Sequence, residues 1–70
     1  MTKAMYLQIS EGMSYHQVAR IIGAPGEEMS RSILAGYTNV MYQWVNNDYS
    51  GMNAIFQNGR LVTKEQFGLR

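Results

Sequence analysis

The sequence predicts an α+β two-layer fold, with short helices first, a run of antiparallel strands after them, and one face of the sheet left uncovered. Two observations predict it. A capped, amphipathic helical segment lies at residues 14–23, and from residue 27 onward the chain breaks into strand-like segments that close on Asn58-Gly59, a strong short hairpin signal. Helices and strands segregated in this way pack as separate layers rather than alternating into a parallel sheet.

Each element has a local reason. Residues 3–8 read as mildly helical, with Met5 and Ile9 as apolar anchors. Ser14 is a good N-cap for residues 15–23, and Gln17 three positions later completes a capping box, each side chain bonding the other residue's backbone amide. Met13, just before the cap, packs on Val18 as a hydrophobic staple. Val18, Ile21 and Ile22 share one helical face, Gly23 suits a left-handed C-terminal position, and Pro25 prevents continuation. A helix this short does not persist alone in water, so it needs a sheet to lie on.

Residues 27–34 form a weak, polar strand, and Ala35, Gly36 and Tyr37 a turn region. Residues 38–45 are a strong strand in which Val40, Tyr42 and Trp44 alternate with Met41, Gln43 and Val45, and Tyr42 and Trp44 read as core. Residues 46–51 are a loop, residues 52–57 a strand, and residues 60–64 its return. The Asn58-Gly59 turn sets Gln57 against Arg60, Phe56 against Leu61, Ile55 against Val62 and Ala54 against Thr63. Met52, Ala54, Phe56, Leu61 and Thr63 then share the face that takes the helix. Asn53, Ile55, Gln57, Arg60, Val62 and Lys64 share the open face.

Seventy residues are expected to make a single domain, 1–70, of marginal core size. There is no cysteine, so neither a disulfide nor a Cys-rich zinc site is expected. Net charge is +1, and Lys3, Arg20, Arg31, Arg60, Lys64 and Arg70 are scattered, so no stripe exists to neutralise nucleic-acid phosphates. No apolar run is long enough for a membrane span, and the N-terminus lacks a signal-peptide layout. A surface richer in Ser, Thr, Asn, Gln and Gly than in Lys and Glu desolvates readily against another protein.

No catalytic set, metal site or cofactor loop stands out. The single histidine, His16, reads as a surface helix residue, and Ser14, needed as a cap, is a poor partner for a triad of Ser14, His16 and Asp48. Gly23-Ala24-Pro25-Gly26 follows a helix and lacks the Lys-Ser/Thr ending of a phosphate loop. The aromatics are more informative. Tyr49 beside Asp48, and Tyr37 in the earlier turn, read either as binding tips or as lids on the core edge, and Phe67 after the last strand either caps the sheet or lies exposed.

Gly12-Met13-Ser14, Val18 and Ile22-Gly23-Ala24 resemble the opening signature of the beta-lactamase inhibitory protein fold family, which small outer-membrane assembly lipoproteins share. The closing stretch, from Phe56-Gln57-Asn58-Gly59-Arg60 to Lys64-Glu65-Gln66-Phe67-Gly68-Leu69, resembles the inhibitor family's final hairpin. The resemblance implies a helix–loop–helix packed on one face of a four-stranded antiparallel sheet. It also implies a non-catalytic protein-binding role against a serine beta-lactamase or related penicillin-recognising enzyme, and a bacterial periplasmic, envelope or secreted location. The family inhibitor carries two such domains in tandem, clasps the enzyme with its open sheet faces and inserts an Asp-Tyr loop. Here Asp48 and Tyr49 stand in the corresponding loop, Asn53 and Ile55 match binding positions, and Phe67 matches a binding tryptophan. Met41 and Gln43 on the same open face, with Tyr37, complete the expected partner-binding set. The departures are one domain instead of two, no disulfide, smaller residues at Ile55 and Phe67, and Glu65 where a basic residue touches the enzyme. A homodimer would restore the two-domain clasp. The alternative reading is a structural or assembly module of the bacterial envelope without inhibitory activity.

Overall fold

A computed structural model describes the whole chain, Met1–Arg70. Helix α1 spans Lys3–Gln8 and is capped by Thr2, whose hydroxyl accepts from the Met5 amide at 3.2 Å. Helix α2 spans Tyr15–Ile22. The Ser14 hydroxyl accepts from the Gln17 amide at 3.2 Å, and Gln17 Oε1 accepts from the Ser14 amide at 2.9 Å, so the capping box forms as expected. Gly23 ends the helix at φ 85°, its amide donating to the Ala19 carbonyl. Ser14→Ala is expected to cost about 1 kcal/mol, seen as a lower urea midpoint at unchanged m-value.

Four strands follow: β1 Glu27–Leu34, β2 Tyr37–Val45, β3 Gly51–Gln57 and β4 Arg60–Phe67. They form one antiparallel sheet in the order β1-β2-β3-β4. Asn58 and Gly59 both take positive φ, 49° and 82°, as a type I′ turn demands. Ala35 and Gly36 do the same at 52° and 82°, making a second tight hairpin that Ala35 does not advertise in sequence.

Ile9, Val18, Trp44, Met52, Ala54, Phe56 and Leu61 form the core, with Tyr6, Met13, Tyr15, Ile22 and Tyr42 packed around it. Met13 takes the place expected of a staple, and Trp44 is buried with its indole N–H donating to the Ala24 carbonyl at 2.9 Å. The helices therefore seal one face, over β2, β3 and β4. Every residue of β1 stays exposed.

The last hairpin corrects the expected register. Gln57–Arg60 and Phe56–Leu61 pair as the turn dictates, but Ile55 pairs with Thr63, not Val62, and Ala54 with Lys64, not Thr63. Val62 is the extra residue of a β-bulge, which shifts the alternation by one beyond it. Thr63 thus moves to the open face with Ile55. Lys64 moves to the helix face, where Nζ donates to the Tyr6 carbonyl at 2.6 Å and lies 3.9 Å from the Tyr6 ring centroid. Partial burial pushes the Lys64 ammonium below its ordinary pKa. Arg60, ahead of the bulge, keeps its expected place opposite Gln57, and its guanidinium donates to the Gly12 carbonyl at 3.3 Å. The final strand runs on past residue 64, so Phe67 is its last residue, and Tyr37 is the first residue of β2 rather than part of the turn.

Candidate functional site

The register lays the open face out in three rows. Met41, Ile55 and Thr63 lie side by side, then Gln43, Asn53 and Glu65, then Val45, Gly51 and Phe67. Gln43 Nε2 donates to Asn53 Oδ1 at 2.9 Å, which fixes both amides in the middle row. Asn53 and Ile55 are half-buried, held upright by neighbours on β2 and β4 without being covered. A depression of about 160 Å³ sits among Met41, Asn53, Ile55, Thr63, Lys64 and Glu65. Its walls combine an apolar thioether and isoleucine with polar groups and one carboxylate. Gly51 has no side chain because none fits: a β-carbon there would lie 1.9 Å from the Trp44 carbonyl oxygen and 3.1 Å from the Phe67 ring.

The third row leads directly into the loop between β2 and β3. Its ends are tied by Asn46 N–H to the Ser50 carbonyl at 2.7 Å and by Tyr49 N–H to the Asn46 carbonyl at 3.0 Å. Ser50, buried, donates to Asp48 Oδ1 from its amide at 3.0 Å and from its hydroxyl at 2.5 Å. Those bonds, the hydroxyl's first and the amide's second, hold the Asp48 carboxyl below the usual carboxylate range, and Arg70 adds a smaller pull. Asn46 anchors the loop from beneath: Nδ2 donates to the Met1 carbonyl at 2.7 Å and to Ser50 Oγ at 2.9 Å, while Oδ1 takes the Met1 amino group. On this base Tyr49 projects with 83% of its surface exposed and φ at 67°. A bulky residue at positive φ is strained, and such strain persists only where the surroundings enforce it.

The structure brings together most of the residues that the sequence nominated. Asp48 and Tyr49 crown the loop, and Met41, Gln43, Asn53, Ile55 and Phe67 occupy the rows beside it. Tyr37 is the exception. It pairs with Leu34 at the opposite end of β2, a strand of nine residues, and so stands far from the loop. The residues missed by sequence reasoning are Asn46 and Ser50, which hold the loop, and Thr63, which the bulge delivers. The Asn-x-Asp-x-Ser spacing was the available signal for the first two, since Asp and Asn side chains close turns on backbone two residues on. Ser14, His16 and Asp48 do not assemble: Ser14 bridges to Arg60, opposite Gln57 at one end of β3, whereas Asp48 precedes Gly51 at the other.

A larger cavity, about 300 Å³, lies where α2 meets the start of β1 and is lined by Met1, Ile22, Pro25, Trp44 and Asn46 among others. It backs the loop, and of its polar side chains Gln43 is already bonded to Asn53 and Asn46 to Met1 and Ser50, leaving Glu27, so the open face with its projecting tyrosine is the better candidate for recognition.

Comparison with known families decides the kinship. The model of the family described as Beta-lactamase inhibitor (BLIP) matches residues 2–70. The chain belongs to that family. Neither a curated protein nor a solved structure matches it. The match to the inhibitor family takes in both helices and all four strands, so the arrangement expected from the resemblance, two helices against an open antiparallel sheet, is the one found. In this BLIP-family chain, the Asp48–Tyr49 loop continues directly from the third row of the uncovered sheet face.

Proposed function

We propose that this BLIP-family chain is a non-catalytic protein-binding module that inhibits a serine beta-lactamase or a related penicillin-recognising enzyme by occlusion. The observation that supports this most is the projection of Tyr49 from a braced loop at one end of an uncovered sheet face. The Asp48 carboxylate stays ionised well below neutral pH and suits the pocket in which such an enzyme receives the acid group of its substrate. Tyr49 fills the space beside it. Met41, Gln43, Asn53, Ile55 and Phe67 then cover the rim, and no bond to the enzyme forms or breaks. Tyr37, at the far end of β2, meets only the periphery of such a partner. The chain acts as one domain, 1–70, and two copies supply the breadth that a tandem inhibitor has. A partner of this kind places the protein in the bacterial periplasm, envelope or medium.

The test is a titration against a panel of serine beta-lactamases, following hydrolysis of a chromogenic substrate. Dose-dependent, fully reversible loss of hydrolysis with at least one enzyme is the expected result. Unchanged rates across the panel at saturating protein would overturn the inhibitor reading and leave an assembly module of the envelope.

A further inference from the structure

The two edges of the sheet are treated differently. The outer edge of β4 is partly occupied by the chain itself: the Gly12 amide donates to the Leu61 carbonyl, and the Leu61 amide to the Met13 carbonyl, both at 2.8 Å. The outer edge of β1 has nothing on it, and neither of its faces is covered. Proteins usually blunt such an edge with lysine, proline or a bulge, because its unpaired backbone groups template another strand. β1 contains no lysine and no proline, and its one irregularity, between Glu28 and Ser30, leaves residues 30–34 regular.

We propose that residues 30–34 of β1 are a self-association edge, pairing antiparallel with the same residues of a second copy. Four points on the structure select that occupant. First, a second copy brings an identical unpaired edge, so one isologous contact satisfies both. Second, the two-residue loop Ala35-Gly36 closes on the pair Leu34–Tyr37, which makes that pair hydrogen-bonded and turns the N–H and C=O groups of Arg31 and Ile33 outward. Placing Arg31 opposite the partner's Ile33, with Ser32 on the two-fold axis, lets those groups bond each other. Third, the charges agree. The only charge in the paired stretch, Arg31, is held by Glu28 of its own strand at 2.8 Å, so no unpaired charge enters the contact, and the aliphatic stem of Arg31 lies beside the partner's Ile33. Fourth, Ile33 and Leu34 are 73% and 75% exposed, with Met29 and Tyr37 also open beside them. Ile33 and Leu34 point to opposite faces of the strand, so the contact is a narrow seam of backbone bonds flanked by apolar side chains on each face, at or below the ~1,200 Å² low end of specific interfaces. The dimer is therefore weak and concentration-dependent. Its two-fold axis runs through the sheet, so both helix layers fall on one side and both open faces on the other.

The inference rests on β1 alone and stands whether or not the open face meets a beta-lactamase. Sedimentation velocity over a concentration series is expected to show monomer passing to dimer, and Ile33→Lys to raise the dissociation constant at least tenfold with an unchanged melting temperature. The chain has no cysteine, so single-cysteine variants report proximity cleanly. Ser32→Cys puts two thiols at a non-hydrogen-bonded cross-strand pair, about 4.5 Å between Cα atoms, within disulfide reach, and should oxidise rapidly to a covalent dimer. Leu7→Cys on exposed α1 should not. A protein monomeric at every concentration up to about 1 mM, a dimer indifferent to Ile33→Lys, or equal oxidation rates for the two cysteine variants would each overturn the proposal.

Discussion

Gly51→Ala is expected to lower the thermal midpoint by roughly 15 °C or more, at 4–8 °C per kcal/mol for a domain of this size. The β-carbon would sit 1.9 Å from a backbone oxygen, that of Trp44, and a backbone atom cannot swing aside as a side-chain end can. Relief requires β2 and β3 to part where Val45 pairs with Gly51, at the base of the loop and beside buried Met52. Forced insertion of even one carbon commonly costs about 1–3 kcal/mol, and here there is no side-chain relaxation to reduce it. A chain of this length has about 4–10 kcal/mol in hand, at about 0.05–0.15 kcal/mol per residue. Gly36→Ala is the control. Nothing lies within 4 Å of a β-carbon there, so only the positive φ of 82° is penalised, about 1–2 kcal/mol. Differential scanning calorimetry of the two variants separates the clash from the strain. Equal midpoints would mean that the strands yield to the new β-carbon and that the Trp44 carbonyl does not exclude a side chain at Gly51, whose φ lies outside the left-handed region.

Tyr49→Gly should move stability and inhibition in opposite directions. Glycine adopts φ near 67° without penalty, so removing the tyrosine relieves strain and should raise the melting temperature slightly. The ring, 83% exposed, contributes little to the core that its loss could offset. In the proposed complex the same ring is the central aromatic anchor, and truncating such a residue costs 2 kcal/mol or more, about 30-fold in the inhibition constant. Asp48→Ala should weaken inhibition by a similar factor. It also releases the Ser50 amide and hydroxyl, so some loop order goes with it. The sign of the pH dependence follows. The Asp48 carboxyl titrates lower folded than unfolded, so its contribution to the loop is complete above the ordinary carboxylate range and disappears as pH falls through the depressed value. Inhibition measured from neutral pH down to about 5 should therefore show no step from Asp48. Unchanged inhibition by both variants would remove the loop from the mechanism.

Most of the architecture was legible because local signals and burial agreed. Ser14 with Gln17, Gly23 with Pro25, and Asn58 with Gly59 each name a specific backbone geometry, and each geometry is present. Val40 and Trp44 are the buried residues of β2 and Tyr42, half-buried, packs against the core on the same side, so the inward side of β2 could be read from period two. The Val62 bulge could not. A strand with one extra residue has the same composition as one without, and only packing of Leu61 into the core and of Lys64 against Tyr6 reveals where the alternation slips. The Ala35-Gly36 turn was obscured by an alanine where asparagine or glycine normally announces positive φ. At the site, the tip residues Asp48 and Tyr49 were legible. Their support was legible only in part: the Asn-x-Asp-x-Ser spacing hints at the turn, but the anchoring of Asn46 runs through Met1, forty-five positions away in the chain.

The single tryptophan of the chain is Trp44, enclosed in the core, flanked by Tyr15 and Tyr42 rings at 6.1 Å and bonded to the Ala24 carbonyl. None of the three rows of the open face carries an indole. Intrinsic fluorescence excited at the red edge is therefore an unfolding gauge nearly blind to docking: denaturation should shift the emission toward longer wavelength, while a partner seated on the far side of the sheet leaves this fluorophore's surroundings as they were. Melting curves can thus be recorded label-free in the presence of any enzyme whose own indoles are subtracted or absent, and a midpoint that climbs with enzyme concentration reports association through linkage alone.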